Sequence, residues 1–220
     1  MKKKYISLIF IFYSVFSGFS IFAERPLSFT LHFSPTFILN SDNPKNSESF
    51  PVAVPISFGI VIPNRSFVSF QPRLSFFSNY YFLTEKGAYP AENDSKTATA
   101  FSFLLDLPAS LTFTAEEKHS FELSAGLSFL MRFATLSHGI KENDSGFNGI
   151  TAKQELSEIN KYFWKDAHFL YVSTGFSYLY SISKKISAGP EIQFYLPCGQ
   201  IFSGNGMNEA MFTIGMKTKF

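Results

Sequence analysis

The sequence predicts an all-β fold: an eight-stranded antiparallel up-and-down transmembrane β-barrel with a short helix in the long loop 137–165. Three observations predict this fold. Apolar side chains alternate with small polar ones, which is the period of a strand with two unlike faces. Turn signals divide the chain into eight such runs, and short and long connections alternate between them. The bulky apolar face is too large for the interior of an eight-stranded barrel, so it is expected outside.

Composition excludes several other classes of protein. Of 220 residues, 45% are hydrophobic, 18% are aromatic and only 16% are charged, whereas soluble domains have about 25% charged residues. The chain is therefore neither disordered nor coated with charge like an ordinary soluble enzyme. The formal charge is +2, but Lys2, Lys3 and Lys4 lie at the extreme N-terminus, and the remaining 16 basic and 17 acidic residues give −1. No nucleic-acid partner is predicted.

Residues 1–23 have the pattern of an export signal. A tribasic start precedes an apolar run from Ile6 to Phe16, and small residues then lead to Ala23. We expect cleavage after about Ala23, which leaves 24–220 as the mature barrel domain. An uncleaved membrane anchor is the alternative, because the apolar stretch approaches the roughly 20 residues of a spanning helix.

Eight strands follow along the mature chain. They are predicted at 26–39, 51–62, 66–83, 98–114, 119–136, 166–183, 186–202 and 209–220. The connections after the second, fourth and sixth strands are short. The other connections are longer: 40–50, 84–97, 137–165 and 203–208. Bacterial outer-membrane barrels have this arrangement, with short periplasmic turns and longer extracellular loops.

Two kinds of barrel fit this alternation, and they differ in which face is outside. A soluble, lipocalin-like barrel turns its apolar face inward, and a membrane barrel turns it toward lipid. Residues 27–39 and 51–62 contain no Asp, Glu, Lys or Arg, so a water-facing surface made from them would aggregate. The sequence therefore predicts a membrane barrel with its apolar face outward.

The C-terminal segment carries the most specific resemblance to a known class. The ending MFTIGMKTKF alternates and stops on a terminal Phe. It resembles the last strand of small bacterial outer-membrane β-barrels of the OmpA-transmembrane, OmpX and OmpW kind, and the mature chain resembles them in architecture. The resemblance implies a place in the cell outer membrane and contact with its lipid. It also implies recognition by the barrel-assembly machinery through Phe212, Ile214, Met216 and Phe220.

The few charged side chains on the inward face are expected to form a polar network in the lumen. They are His32, Arg73, Asp106, Glu122, Arg132, Glu191 and Lys217. Counting from the nearest turn places Arg73 and Asp106 at similar heights on neighbouring strands, with Glu191 and Lys217 lower on another pair. Charges in a low-dielectric lumen must be paired or solvated. We favour a network of structural ion pairs that plugs the barrel, and a polar solute path is the alternative.

Aromatic side chains are expected to form girdles at both membrane interfaces. Those predicted for the long-loop end are Tyr80, Tyr81, Phe82, Phe163, Trp164, Phe169 and Tyr195. Those predicted for the short-turn end are Phe67, Phe113, Phe121, Tyr180 and Phe220. The single cysteine, Cys198, falls on the lipid-facing parity of the seventh predicted strand.

Loop 137–165 is predicted to contain a short amphipathic helix near 152–162. Thr151 and Gln154 have the spacing of a capping box. Ala152, Leu156, Ile159 and Phe163 then recur at helical intervals. We expect this helix over the barrel mouth or in the outer interface.

No catalytic residue, cofactor or metal site is predicted. The repeated tetrapeptide Glu-Asn-Asp-Ser, at 92–95 and 142–145, lacks the spacing of a calcium loop. The predicted function is a non-catalytic envelope or surface protein, or a narrow passage for a small apolar solute, as the OmpW resemblance implies. One alternative is a lipid-modifying enzyme that uses His138. The other is an adhesin that binds a host surface ligand through loops 84–97 and 137–165.

Overall fold

Eight antiparallel strands close into one ring in the computed structural model, which confirms the predicted barrel. The structure describes residues 27–40, 51–64, 67–91, 97–203 and 207–220. The predicted export signal with its cleavage site, and the tetrapeptide at 92–95, lie outside the described residues.

Each strand pairs with the next, and the last pairs with the first. The strands are β1 (Ser28–Phe33, continued by Thr36–Ile38), β2 (Val52–Ala53 and Ile56–Pro63), β3 (Val68–Phe70 and Arg73–Thr84), β4 (Ala98–Ala115), β5 (His119–Leu136), β6 (Leu170–Ser181), β7 (Ser187–Pro197) and β8 (Met211–Lys219). The breaks in β1, β2 and β3 each contain a proline, which has no N–H for the ladder. A four-residue strand, Gly87–Pro90, folds back on β3.

The two ends of the barrel differ. Three short turns and the ends of β1 and β8 lie at one end, called here the turn end. The long connections lie at the other, the loop end, where helix α1 (Ala152–Trp164) and the short helix α2 (Cys198–Ser203) are found. Neither helix is long and apolar enough to cross a membrane, and the described part of the chain contains no helix that is.

Two strand boundaries differ from the prediction by four or five residues, and the others differ by at most two. The seventh strand ends at Pro197 because the chain then turns into α2, so Cys198 is buried at the loop end and does not face outward. The sixth strand begins only at Leu170, since Asp166 and Ala167 both adopt left-handed backbone conformations that no strand accommodates.

The apolar face points outward, as predicted. Phe121, Leu127 and Phe133 on β5 are 37–51% exposed, whereas the intervening Glu122 and Arg132 are 2% exposed. The predicted turn-end aromatic residues, from Phe67 to Phe220, are also exposed on this wall. Such an outer surface requires an apolar medium around the barrel.

The predicted loop-end girdle is partly wrong. Tyr80 and Trp164 are exposed, but Tyr81, Phe163 and Tyr195 are at most 3% exposed. Tyr81 and Tyr195 occupy inward positions of β3 and β7, and Phe163 projects from α1 into the barrel mouth. Strand parity and the docking of the helix, rather than height alone, decide which aromatic side chains reach the outside.

Candidate functional site

Arg73 is the centre of a polar network in the turn-end half of the lumen. It lies directly opposite Asp106 in the β3–β4 register and donates to its carboxylate at 2.7 Å. On the other side it lies 3.5 Å from Glu191 and also donates to Gln193 and to the Tyr195 hydroxyl. The guanidinium therefore joins strands on opposite sides of the barrel.

Serine hydroxyl groups donate further hydrogen bonds to the Asp106 and Glu191 carboxylates. Ser128 and Ser173 donate to Asp106 at 2.6 and 2.7 Å, and Ser34 donates to Glu191 at 2.7 Å. These serines occupy inward positions where only a small side chain leaves room for the network. A buried ion pair with this many hydrogen bonds avoids the desolvation penalty of an unpaired charge.

A second ion pair lies nearer the turn end. Lys217 donates to Glu122 across the lumen and, at 2.6 Å, to Gln71. Lys217 thus pairs with Glu122 and not with Glu191, because the β7–β8 register places it opposite Gly189, two residues closer to the turn end. The cavity between the two ion-pair groups has a volume of about 10 Å³, which is room for about one water molecule.

An apolar layer fills the lumen on the loop side of this network. Every strand contributes one buried side chain to the layer, and each lies closer to the loop end than the members of the two ion-pair groups on its own strand. The members are Ile38, Ala53, Phe77, Leu104, Leu130, Tyr171, Tyr195 and Met211. Burial of such side chains is favourable, and the only polar side-chain atoms among these members are the Tyr171 and Tyr195 hydroxyls.

Helix α1 closes the barrel mouth above the apolar layer. Thr151 and Gln154 form the predicted capping box, and the confirmed helix runs from Ala152 to Trp164. Ile159 and Phe163 are at most 1% exposed. They pack against inward-facing side chains of β3, β4 and β5, which are Tyr81, Ala98, Ala100 and Ala134.

Two polar side chains anchor α1 to the barrel rim. Asn160 accepts from the Ala134 N–H at 2.9 Å and donates to the Ala134 carbonyl at 3.1 Å. At this point β5 extends beyond β6 and has no neighbouring strand on that side. Glu155, 2% exposed, accepts from the backbone N–H groups of Leu83 and Phe147 at 2.9 and 3.0 Å. The helix thus supplies hydrogen bonds to backbone groups at the loop ends of β3 and β5.

A buried charge pair lies beneath the helix. Arg132 on β5 lies 3.1 Å from Glu209, which precedes β8. Tyr162 of α1 donates to Glu209 at 2.8 Å, and His168 lies 3.4 Å from it. Burial alone would raise the pKa of Glu209, but the Arg132 charge and the His168 and Tyr162 contacts lower it to about 2. Glu209 is therefore ionised at neutral pH and fixes α1 to the barrel.

Solved structures of other proteins contain the same ring of strands. Neisserial surface protein A and the outer membrane protein OprG from Pseudomonas aeruginosa each match with a TM-score of 0.50 and 8% sequence identity, over 88% of this chain and 95% of theirs. The chain has the fold of a small outer-membrane β-barrel. No family model and no curated protein matches the sequence.

Within this outer-membrane barrel fold, the seven predicted lumen residues fall into two groups. Six of them, all except Arg132, line or complete the two ion-pair groups at the turn end. Arg132 lies apart, beneath α1. Its partner Glu209 and the anchors Glu155 and Asn160 were not predicted from the sequence. The helical spacing from Thr151 was a usable signal for Glu155, whereas nothing local marks Glu209.

One arrangement in the described part of the lumen resembles a hydrolase triad. His32 lies 2.9 Å from the Thr30 hydroxyl and 2.8 Å from the Glu191 carboxylate. Arg73 also lies 3.3 Å from the same imidazole nitrogen, and the adjoining 10 Å³ cavity has no room for a substrate. His138 is exposed and the neighbouring Ser137 is buried, so these two do not form a catalytic pair. Among the described residues, no three His, Cys, Asp or Glu are placed to hold a metal ion.

Proposed function

We propose that this chain is an integral outer-membrane β-barrel protein, with its turn end in the periplasm and its loop end outside the cell. The outward apolar wall, the even number of strands and the position of both barrel termini at the turn end support this placement. The likeness to OprG and Neisserial surface protein A supports it as well. Phe212, Ile214, Met216 and Phe220 are proposed as the segment that the barrel-assembly machinery recognises.

We infer that the protein is a non-catalytic envelope or surface component with a closed lumen. The observation that carries this proposal is the filled lumen: polar network, apolar layer and α1 follow one another from the turn end to the loop end. A substrate has no room beside the buried ionisable groups of the turn-end half. The surface available to partners is the loop end, where the adhesin alternative places its binding loops.

A narrow passage for a small apolar solute is the second candidate. The observation that favours it is that no barrel strand pairs with α1. The eight strands therefore stay hydrogen-bonded to one another if the helix moves out of the barrel mouth. Passage would then require rearrangement of the apolar layer as well as of α1.

Conductance in a planar lipid bilayer tests the closed lumen. We expect the purified full chain to show no steady ion current, because the apolar layer, apart from the Tyr171 and Tyr195 hydroxyls, offers no polar group that replaces the hydration of an ion. A variant in which a short turn replaces 140–167 is the matched comparison. It removes α1 but keeps the apolar layer, and it is expected to stay closed. A steady current through the full chain would contradict the closed lumen, and a current only through the variant would favour a gated passage.

A further inference from the structure

Helix α1 occupies a cup that the barrel itself forms at its mouth. The walls of the cup are the small side chains Ala98, Ala100 and Ala134, and Ile159 and Phe163 fill the space between them. The ring closes through its eight strands alone, and α1 contributes no strand pairing to it. The helix is thus an occupant of the cup and not a part of its wall.

The floor of the cup consists of Tyr81, Arg132, His168 and Glu209, and it makes chemically specific contacts with α1. The Arg132 guanidinium lies 4.4 Å from the centre of the Phe163 ring, which also meets Tyr81 edge-on with centroids 5.0 Å apart. The neighbouring Tyr162 hydroxyl donates to Glu209. The cup therefore receives an aromatic ring stacked on a cation and, beside it, a hydroxyl donor on a carboxylate.

The floor also has a polar atom without a hydrogen bond. His168 is 5% exposed, and its Nδ1 makes no hydrogen bond of acceptable geometry although Glu209 lies 3.4 Å away. Buried polar atoms in proteins are nearly always hydrogen-bonded. Its position next to Glu209 suits a second polar contact from a bound molecule.

A cavity beside α1 reaches the floor of the cup while the helix is docked. The cavity, of about 450 Å³, lies between the Leu83–Gly87 hairpin and the C-terminal half of α1, and it reaches Tyr162 and His168. Gly87 is necessary there, because a Cβ at this position would overlap the Tyr162 ring. The volume is within the range of small-molecule sites.

The connections on both sides of α1 are held in uncommon conformations. Asn148 has φ of 51°, and Asp166 and Ala167 have φ of 49° and 59°. Left-handed non-glycine residues are disfavoured unless the surrounding contacts hold them. Release of α1 would let both connections relax, so they are suited to act as hinges.

We propose that the barrel mouth is a binding site for a phenolic compound, for which α1 is a built-in competitor. The ligand phenol takes the place of the Tyr162 side chain, with its hydroxyl on Glu209 and its ring against His168. Its apolar substituent fills the space that Phe163 leaves next to Arg132. The ligand enters beside Tyr162, and α1 moves away on its two hinges. This site goes beyond the closed envelope barrel proposed above.

The test uses the full chain in lipid nanodiscs with 4-propylphenol as the probe. The matched control is 4-propylanisole, in which a methyl group replaces the hydroxyl proton. We expect the phenol to speed hydrogen exchange of the α1 amides and to shift the fluorescence of Trp164, the only tryptophan, which packs against Phe133 and Phe169. The anisole should need about ten-fold higher concentration, since it leaves Glu209 without the donor.

The variant with a short turn in place of 140–167 provides an independent measurement. Because the competitor is gone, calorimetry should show 4-propylphenol binding about ten-fold or more tighter than to the full chain. The proposal is overturned if neither protein binds the phenol, or if α1 exchange slows on binding. Equal effects of phenol and anisole would also overturn it, because they would indicate partition into lipid without recognition of the hydroxyl.

Discussion

Arg73→Ala is expected to lower the free energy of unfolding by about 3–5 kcal/mol, the usual cost of removing one partner of a buried ion pair. The substitution leaves Asp106 and Glu191, at most 1% exposed, without their shared cation. Thermal or urea unfolding of the purified barrel measures the loss. We expect no comparable gain in conductance, because the apolar layer on the loop side of Arg73 stays in place.

Lys185→Ala is the control for Arg73→Ala. Lys185 is exposed in the turn between β6 and β7, so its removal should change stability by less than about 0.5 kcal/mol. A large rise in ion current through the Arg73 variant, with unchanged stability, would contradict the structural network and favour the polar solute path.

Phe163→Ala is expected to undock α1 from the barrel mouth. The ring is 1% exposed, and its loss removes the contacts with Tyr81 and Arg132 as well as its own burial. Truncation of a buried Phe lowers the free energy of unfolding by about 3–5 kcal/mol. Here we expect it to weaken the docking of the helix and to leave the ring of strands stable. Hydrogen exchange of 152–164 should accelerate, and Trp164 should change its fluorescence.

Phe163→Leu keeps an apolar side chain at the same position and should have a clearly smaller effect than Phe163→Ala. Hydrogen exchange of β4 and β5 should stay slow in both variants, because α1 adds no strand pairing to them. Unchanged α1 exchange in Phe163→Ala would contradict the packing of this helix in the barrel mouth. Unfolding of the whole ring in the same variant would contradict its independence from α1.

The sequence was sufficient for the features that local pattern determines. Alternation through 121–133 predicted which face of β5 is outside, because the side-chain period of a strand is two. The Thr151–Gln154 spacing predicted the start of α1, since capping satisfies the free N–H groups of a helix within one turn. The end of β7 was missed because the alternation continues past Pro197 although the backbone turns into α2.

The contents of the loop-end lumen were not predictable in the same way. Leu104 and Leu130 occupy inward positions between polar side chains of their own strands, and only closure of the ring brings them beside Phe77 and Met211. Glu209 contacts Arg132, which lies 77 positions earlier in the sequence. Such contacts depend on strand tilt and register around the whole barrel, which no local period specifies.

Fractionation of cell envelopes, followed by gel electrophoresis of the protein with and without boiling, tests whether the chain is a closed barrel in the outer membrane. We expect the chain to sediment with the outer membrane and the unboiled band to migrate faster, because a closed hydrogen-bonded barrel stays compact in detergent. Recovery in the soluble periplasm without a heat-dependent shift would contradict this expectation, since the apolar wall would then have no membrane to face.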